Sequence, residues 1–145
     1  PVGWVAGAGV MCRMRNLRDV GFFDPAFFLY FEEVDLMRQA HLQGWITWYL
    51  PSARVIHAEG AATGVKSGVT ERRRRPAYWY HSWQYYHRKN HGRAGAMRAG
   101  VAFILGTIGH YVISGMRRKP LQIPLKVLPD FWRYAMRVLM TKQTF

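Results

Sequence analysis

The spacing of apolar and polar positions changes several times along this 145-residue chain. Residues 4–14 are apolar and include the small-residue run Ala6-Gly7-Ala8-Gly9. That pattern predicts a buried strand whose glycines let another backbone or a ligand come close. Residues 16–20 predict a short helix stopped by Gly21, and Phe22-Phe23-Asp24-Pro25 predicts a turn, since Pro25 restricts Asp24 to extended geometry. From Glu32 onward, Val34, Met37 and Leu42 recur at roughly helical spacing, and Gly44 suits the residue just past a helix end. Two β-branched or aromatic segments follow, 46–50 ended by Pro51 and then 54–57, and both predict short strands. After Gly60 the character changes. A glycine-bearing loop leads into Arg72-Arg73-Arg74-Arg75, and three helices are predicted over 78–91, 94–116 and 125–140, with Pro120 and Pro124 breaking the second from the third.

Half of the residues are hydrophobic, which supports a packed core and excludes wholesale disorder. The pattern over residues 2–11 already reads as the interior of a fold with no charged region before it, so an N-terminal truncation is expected rather than a signal peptide. Cys12 is the single cysteine, which excludes an internal disulfide and suits a reducing compartment. The net charge of +13 is unevenly placed. Residues 1–65 hold five Lys/Arg against six Asp/Glu, whereas residues 66–145 hold sixteen against two. A basic half favours an anionic partner such as nucleic acid, anionic lipid or phosphate. No RNP, KH, zinc or helix-turn-helix pattern accompanies it, so nucleic acid is not expected as the partner.

The candidate chemistry begins with Glu32, Glu33 and Asp35, three carboxylates within four residues directly after the aromatic run 27–31. Carboxylates that close repel one another and are unfavourable beside apolar surface unless a cation, proton or ligand offsets the charge. In the first turn of a helix they also complement the helix dipole. The cluster therefore reads either as a capping group or as a general base with a raised pKa. His57 ends an apolar segment and opens a glycine loop, so it is a structural histidine or a ligand for a divalent metal. The four arginines at 72–75 are a solvated linker or a clamp for a diphosphate.

The ordered motifs W-x-x-G-A-G-V-M-x-R at 4–13, V-G-F-F-D-P-A-F-F-L-Y-F-E-E-V-D-L-M-R at 20–38 and P-S-A-R-V-I-H-A-E-G at 51–60 resemble family-2 glycosyltransferases. The resemblance is to the rhamnosyltransferase-like, non-processive branch that builds bacterial cell-surface polysaccharides. It covers about residues 3–65 and extends weakly through 78–92. It implies an α/β fold: the C-terminal part of a GT-A (Rossmann-like) catalytic domain over 1–65, a flexible basic loop over 66–77 and a helical, basic and aromatic tail over 78–145. It further implies that Glu33 is the base that deprotonates the acceptor hydroxyl, where the family pattern has Asp. Trp4, Glu32 and Asp35 would bind the acceptor, His57 would help hold Mg²⁺ or Mn²⁺ on the donor diphosphate, and the loop ending in Arg72, Arg73, Arg74 and Arg75 would close over the donor. The Q-x-x-R-W motif of processive synthases is absent, which implies addition of a single sugar.

The function expected from the resemblance is inverting transfer of a sugar from a nucleotide-sugar donor to a lipid-linked saccharide, at the cytoplasmic face of the bacterial inner membrane. The piece by itself is expected to be inactive. A non-enzymatic, basic module for binding membrane surfaces is the alternative. Residues 101–116 would span about 24 Å as a helix against a hydrocarbon core of about 30 Å. Thr107, His110, Ser114 and Arg117 recur on one side and Val101, Leu105, Ile108 and Val112 on another, so this segment is expected to lie on the membrane rather than cross it.

Overall fold

The structure, a computed structural model, describes residues 1–57, 73–121 and 123–141. The chain divides into two compact units, Pro1–Val69 and Thr70–Phe145, taken here in turn.

In the first unit, glycines in the left-handed region end both helices. Helix α1 spans Met14–Val20 and helix α2 spans Glu32–Leu42. At the end of α1, Gly21 has φ 84° and donates its N–H to Arg18 O, while Phe22 N–H reaches back to Leu17 O. The end of α2 repeats the motif at Gly44 (φ 82°), with Gly44 N–H to His41 O and Trp45 N–H to Ala40 O. Both closures satisfy carbonyls that the helix leaves orphaned. The two helices touch, and Gln43 Nε2 donates to Asp19 O at 2.9 Å. The small core of this unit is Phe27, Leu36 and Met37.

The expected strands are not seen among the described residues. Residues 4–13, 46–50 and 54–57 are extended or turning, Met14 already opens α1, and the one ladder contact of this unit is an isolated antiparallel bridge between Val2 and Thr47. Strand formation needs neighbours that take up backbone N–H and C=O groups, and a single bridge is not a sheet. The predicted burial of 4–14 fails with it: Trp4 is 52% exposed and Met11 98%. The α/β class expected from sequence is therefore not what the described residues display; they are helices joined by extended segments.

The second unit is helical. Helix α3 is Ala77–Met116, interrupted at Gly92, where φ 66° and ψ 177° lie in a region open in practice only to glycine. The interruption matters greatly. In a straight helix, Trp83 and Phe103 would sit about 30 Å apart, yet their ring centroids are 6.3 Å apart. The chain reverses at Gly92, and α3 is a hairpin of two antiparallel arms. The expected boundary between helices at 91 and 94 thus falls where the backbone reverses. Helix α4 (Val127–Phe131), a π-helical turn (Trp132–Met136) and helix α5 (Arg137–Met140) form one continuous third rod. Pro129 is accommodated there because it lies in the first turn, whose N–H groups have no partner inside the helix.

The third rod packs into the hairpin through Phe131, which is fully buried. Its ring stacks on Phe103 at 4.2 Å and meets Trp83 edge-on at 4.7 Å. Gly100 lets Met136 in: a Cβ there would collide with Met136 Sδ and lie 3.6 Å from Trp83 Cη2. At the open end Arg74 forms a two-pronged ion pair with buried Asp130, through Nε to Oδ2 at 2.7 Å and through Nη2 to Oδ1. At the reversal, Arg93 Nη2 donates to Met140 O at 2.9 Å. By length and composition α3 is the one helix among the described residues able to cross a membrane, a hint of membrane association that the break at Gly92 qualifies.

Gly92→Ala isolates the backbone contribution, because a Cβ there meets no atom within 4 Å. We expect a loss of about 1–3 kcal/mol in chemical denaturation of the second unit, the usual range for a residue forced into such a region. Gly106→Ala, also open but mid-helix, should instead stabilise by up to about 1 kcal/mol. Equal effects of the two substitutions would contradict the hairpin.

Candidate active site

The carboxylates sit where the chain enters α2. Glu32 and Glu33 are its first two residues, and Asp35 follows within the same turn. No side chain caps this helix end, because the cap position is Phe31. Tyr30 and Phe31 both adopt left-handed backbone, with φ 68° and 72°. Two successive bulky residues in that region store strain, of order 1 kcal/mol or more each, at the entry to the acidic turn.

The three carboxylates differ in surroundings. Asp35 is 2% exposed and accepts a long hydrogen bond from Gln39 Nε2 at 3.5 Å. Glu32 and Glu33 each bury one oxygen, Oε2, that has no hydrogen-bond partner. For Glu33, burial pushes the pKa above the usual carboxylate range. The backbone N–H groups of Glu33 and Val34 pull it back down, and the neighbouring charge of Glu32 adds to the rise. A carboxylate with a desolvated, unclaimed lone pair and a raised pKa is suited to accepting a proton.

The desolvation comes from the N-terminal segment. A Cβ built on Gly7 would lie 3.5 Å from Glu33 Cβ, so the glycine lets the backbone lie directly against this side chain. Nearby, Val5 N–H points at Met37 Sδ at 3.1 Å. Gly9 is packed more closely still against Val55, 3.1 Å from a built Cβ to Cγ2. The glycine run predicted close approach, and the structure places Gly7 and Gly9 in that role. That Tyr30 and Phe31 are left-handed had no signal in the sequence, since aromatic residues rarely take that conformation.

The other candidates are less gathered. Trp4 and His57 are exposed, and neither hydrogen-bonds to the carboxylates among the described residues. Arg72 and the glycine loop before it lie outside the described residues. Arg73, Arg74 and Arg75 belong to the second unit. There Arg74 is engaged by Asp130, and the Arg75 guanidinium lies 4.1 Å above the Trp79 ring. Arg74 could serve a diphosphate only by leaving Asp130. No group of three or more His, Cys, Asp or Glu side chains converges among the described residues. They do not form a complete metal site, and no step through a metal is derived from them.

Comparison with known proteins adds a specific likeness. No family model matches the chain, and no solved structure does. Over 64 residues the chain is 41% identical to proteins named N-acetylglucosaminyl-diphospho-decaprenol L-rhamnosyltransferase, from Mycobacterium tuberculosis strains CDC 1551 / Oshkosh and ATCC 25618 / H37Rv. The match covers 44% of this chain and 21% of each relative, so the chain spans about a fifth of the length of the curated relatives it matches. Over that stretch it is similar to glycosyltransferases of the rhamnosyltransferase kind.

Proposed function

We propose that this chain is part of an inverting glycosyltransferase that moves a sugar from a nucleotide-sugar donor onto a lipid-linked saccharide. One observation carries the reading: Glu33, desolvated and with Oε2 unclaimed, stands in the stretch E-E-V-D that the resemblance assigns to the catalytic base. The 64-residue likeness to proteins named for transfer of L-rhamnose to a decaprenol-linked acceptor supports it from outside. The donor is proposed by class alone.

Inversion at a sugar carbon requires an acceptor oxygen to attack opposite the leaving diphosphate. Glu33 takes the hydroxyl proton as that oxygen bonds to carbon, and the electron pair of the broken bond leaves with the diphosphate. Glu32, whose Oε2 is equally unclaimed, accepts a hydrogen bond from a second acceptor hydroxyl. Asp35 fixes the turn from within the fold, and Trp4 offers an exposed ring face for stacking on a sugar. In the same reading the exposed apolar residues Trp48, Tyr49, Leu50, Val55 and Ile56 pack against a sheet of the GT-A domain outside this chain. Were Mg²⁺ or Mn²⁺ bound with the donor diphosphate, exposed His57 would supply one imidazole to it. The basic second half holds the enzyme at an anionic membrane surface, peripherally and on the cytoplasmic side, where lipid-linked acceptors are reached.

In the full-length enzyme, Glu33→Gln should lower kcat by about 100-fold or more, the usual scale for a general base, with little change in donor affinity. Glu33→Asp should retain activity. Normal turnover by Glu33→Gln together with an inactive Asp35→Asn would move the base to Asp35. Activity should also rise with pH through a value above the ordinary carboxylate range, because Glu33 must be ionised to act.

The same group gives a readout independent of activity. Its folded pKa is raised, so the folded state holds its proton more tightly than the unfolded chain. Stability contributed by neutral Glu33 is present below the unfolded value and is lost as pH rises through the folded one. Glu33→Gln should therefore stabilise the fold at pH 7 and leave it unchanged near pH 3, as read by denaturant midpoints. A destabilised Glu33→Gln at pH 7 would show that the ionised carboxylate is a structural cap.

For His57, calorimetry of a nucleoside diphosphate with and without Mn²⁺ is decisive. His57→Ala should weaken the metal-dependent part of binding and leave the metal-free part unchanged. An unaltered metal dependence would make His57 a surface residue with no role at the donor.

A further inference from the structure

The second arm of α3 has its polarity reversed. Surface helices of water-soluble proteins turn polar residues outward. Here the outward stripe is Val101, Leu105, Ile108, Val112 and Met116, spaced four, three, four and four residues apart and exposed by 44–80%. The opposite side, at Ala96, Gly100, Thr107 and Ser114, is buried. Thr107 and Ser114 are thus turned into the unit, where Thr107 Oγ1 donates to Phe103 O at 2.7 Å and Ser114 Oγ meets His110 Nε2 at 3.3 Å. Of the polar stripe seen in the sequence, Thr107 and Ser114 face protein while His110 and Arg117 are exposed, and the aliphatic stripe faces outward.

Charge completes the pattern. Exposed Arg98 lies at one end of the stripe and exposed Arg117, Arg118 and Lys119 at the other. Residues 73–141 carry thirteen Lys/Arg and a single acid, Asp130, which is buried against Arg74. No exposed carboxylate of this unit, among the described residues, opposes an anionic surface.

We propose that this stripe is a docking face for anionic phospholipid, with the second arm of α3 lying in the membrane plane at headgroup depth. The inference rests on the membrane-facing reading of the basic half and names the residues that make the contact. Residues 99–116 would reach about 27 Å, close to the hydrocarbon thickness of about 30 Å, so length alone does not exclude crossing. Packing decides. The inner side of the arm is covered by the third rod, which is only about 21 Å long over its 14 residues and carries Asp130, Arg133 and Arg137. The first arm carries His81, Arg88, Lys89 and Asn90. Lipid can therefore cover one face of the second arm without wetting its partners. An in-plane helix bounded by basic residues meets acyl chains along its stripe and phosphates at both ends.

Vesicle flotation of the full-length protein tests this, using phosphatidylglycerol–phosphatidylcholine vesicles against phosphatidylcholine alone. Binding should require the anionic lipid and be released by high salt or carbonate. The pair Leu105→Asn and Val112→Asn alters only exposed positions and should weaken binding about tenfold or more, while Arg117→Gln and Lys119→Gln should each weaken it about fivefold. A fluorophore on Leu105→Cys, in a Cys12→Ser background, should shift to the blue with anionic vesicles, and one on Thr107→Cys should not. Unchanged flotation by the Leu105 and Val112 pair overturns the proposal. So does carbonate-resistant binding with a protease-protected segment, which would mean crossing. Loss of a lipid-independent dimer in the same variants, seen by light scattering, would assign the stripe to a second copy instead. Sugar transfer to a water-soluble acceptor, read separately, should be unchanged in all of these variants. An enzyme that transfers but does not float refutes the docking face, and one that floats but does not transfer refutes the transferase reading.

Discussion

The second unit depends on one backbone reversal. At Gly92 the chain takes a conformation that a side chain would make costly, and two helical arms fold back on each other. The contacts between the two arms follow from that return. Phe103 comes back to Trp83, the groove between them receives Phe131, and the bare backbone of Gly100 makes room for Met136. Close packing of this kind tolerates little change in volume, so the aromatic cluster fixes where the third rod lies. The Arg74–Asp130 pair then fastens the open end, joining the arginine run to the third rod.

The first unit is governed by a different tension. Ionised carboxylates are most stable in water, yet the segment around Gly7 lies against Glu33 and removes water from it. The helix end relieves part of that burden through backbone N–H groups, and the rest remains as a raised pKa and an unclaimed oxygen. The left-handed backbone at Tyr30 and Phe31 concentrates strain at the same place. Strain, desolvation and like charges gathered in one turn are unfavourable for stability alone. Their coincidence with the motif shared with the glycosyltransferase resemblance gives the turn its functional reading.

The two units divide the work that the proposed reaction requires. A transferase that uses a lipid-linked acceptor needs a base for the hydroxyl and a means of staying where that lipid is. In the proposed reading, the acidic turn of the first unit would serve the first need and the outward aliphatic stripe of the second the other. The 64-residue likeness to decaprenol-linked rhamnosyltransferases accounts for under half of the chain, so the membrane face stands on physical argument alone.

Much of the helical framework was legible in the sequence because its determinants are local. Gly21 and Gly44 end helices through their own backbone freedom, Gly92 separates two helical patterns, and the charge imbalance is a matter of counting. The acidic turn was legible for the same reason, since three carboxylates after an aromatic run form a contiguous signal. What lay beyond the sequence is what depends on distant segments. Residues 4–14, 46–50 and 54–57 have strand composition, but a strand exists only when neighbours accept its hydrogen bonds, and these segments gain a single bridge, Val2 to Thr47. The stripes of the second arm were visible as periodicity, yet periodicity does not say which stripe meets protein. Only the return of the chain at Gly92 and the seating of Phe131 turned Thr107 and Ser114 inward. Likewise Glu33 was a carboxylate like its neighbours until a glycine 26 positions earlier came to lie against it. Local sequence determines conformational preference and charge, whereas desolvation is decided by whatever the fold brings alongside.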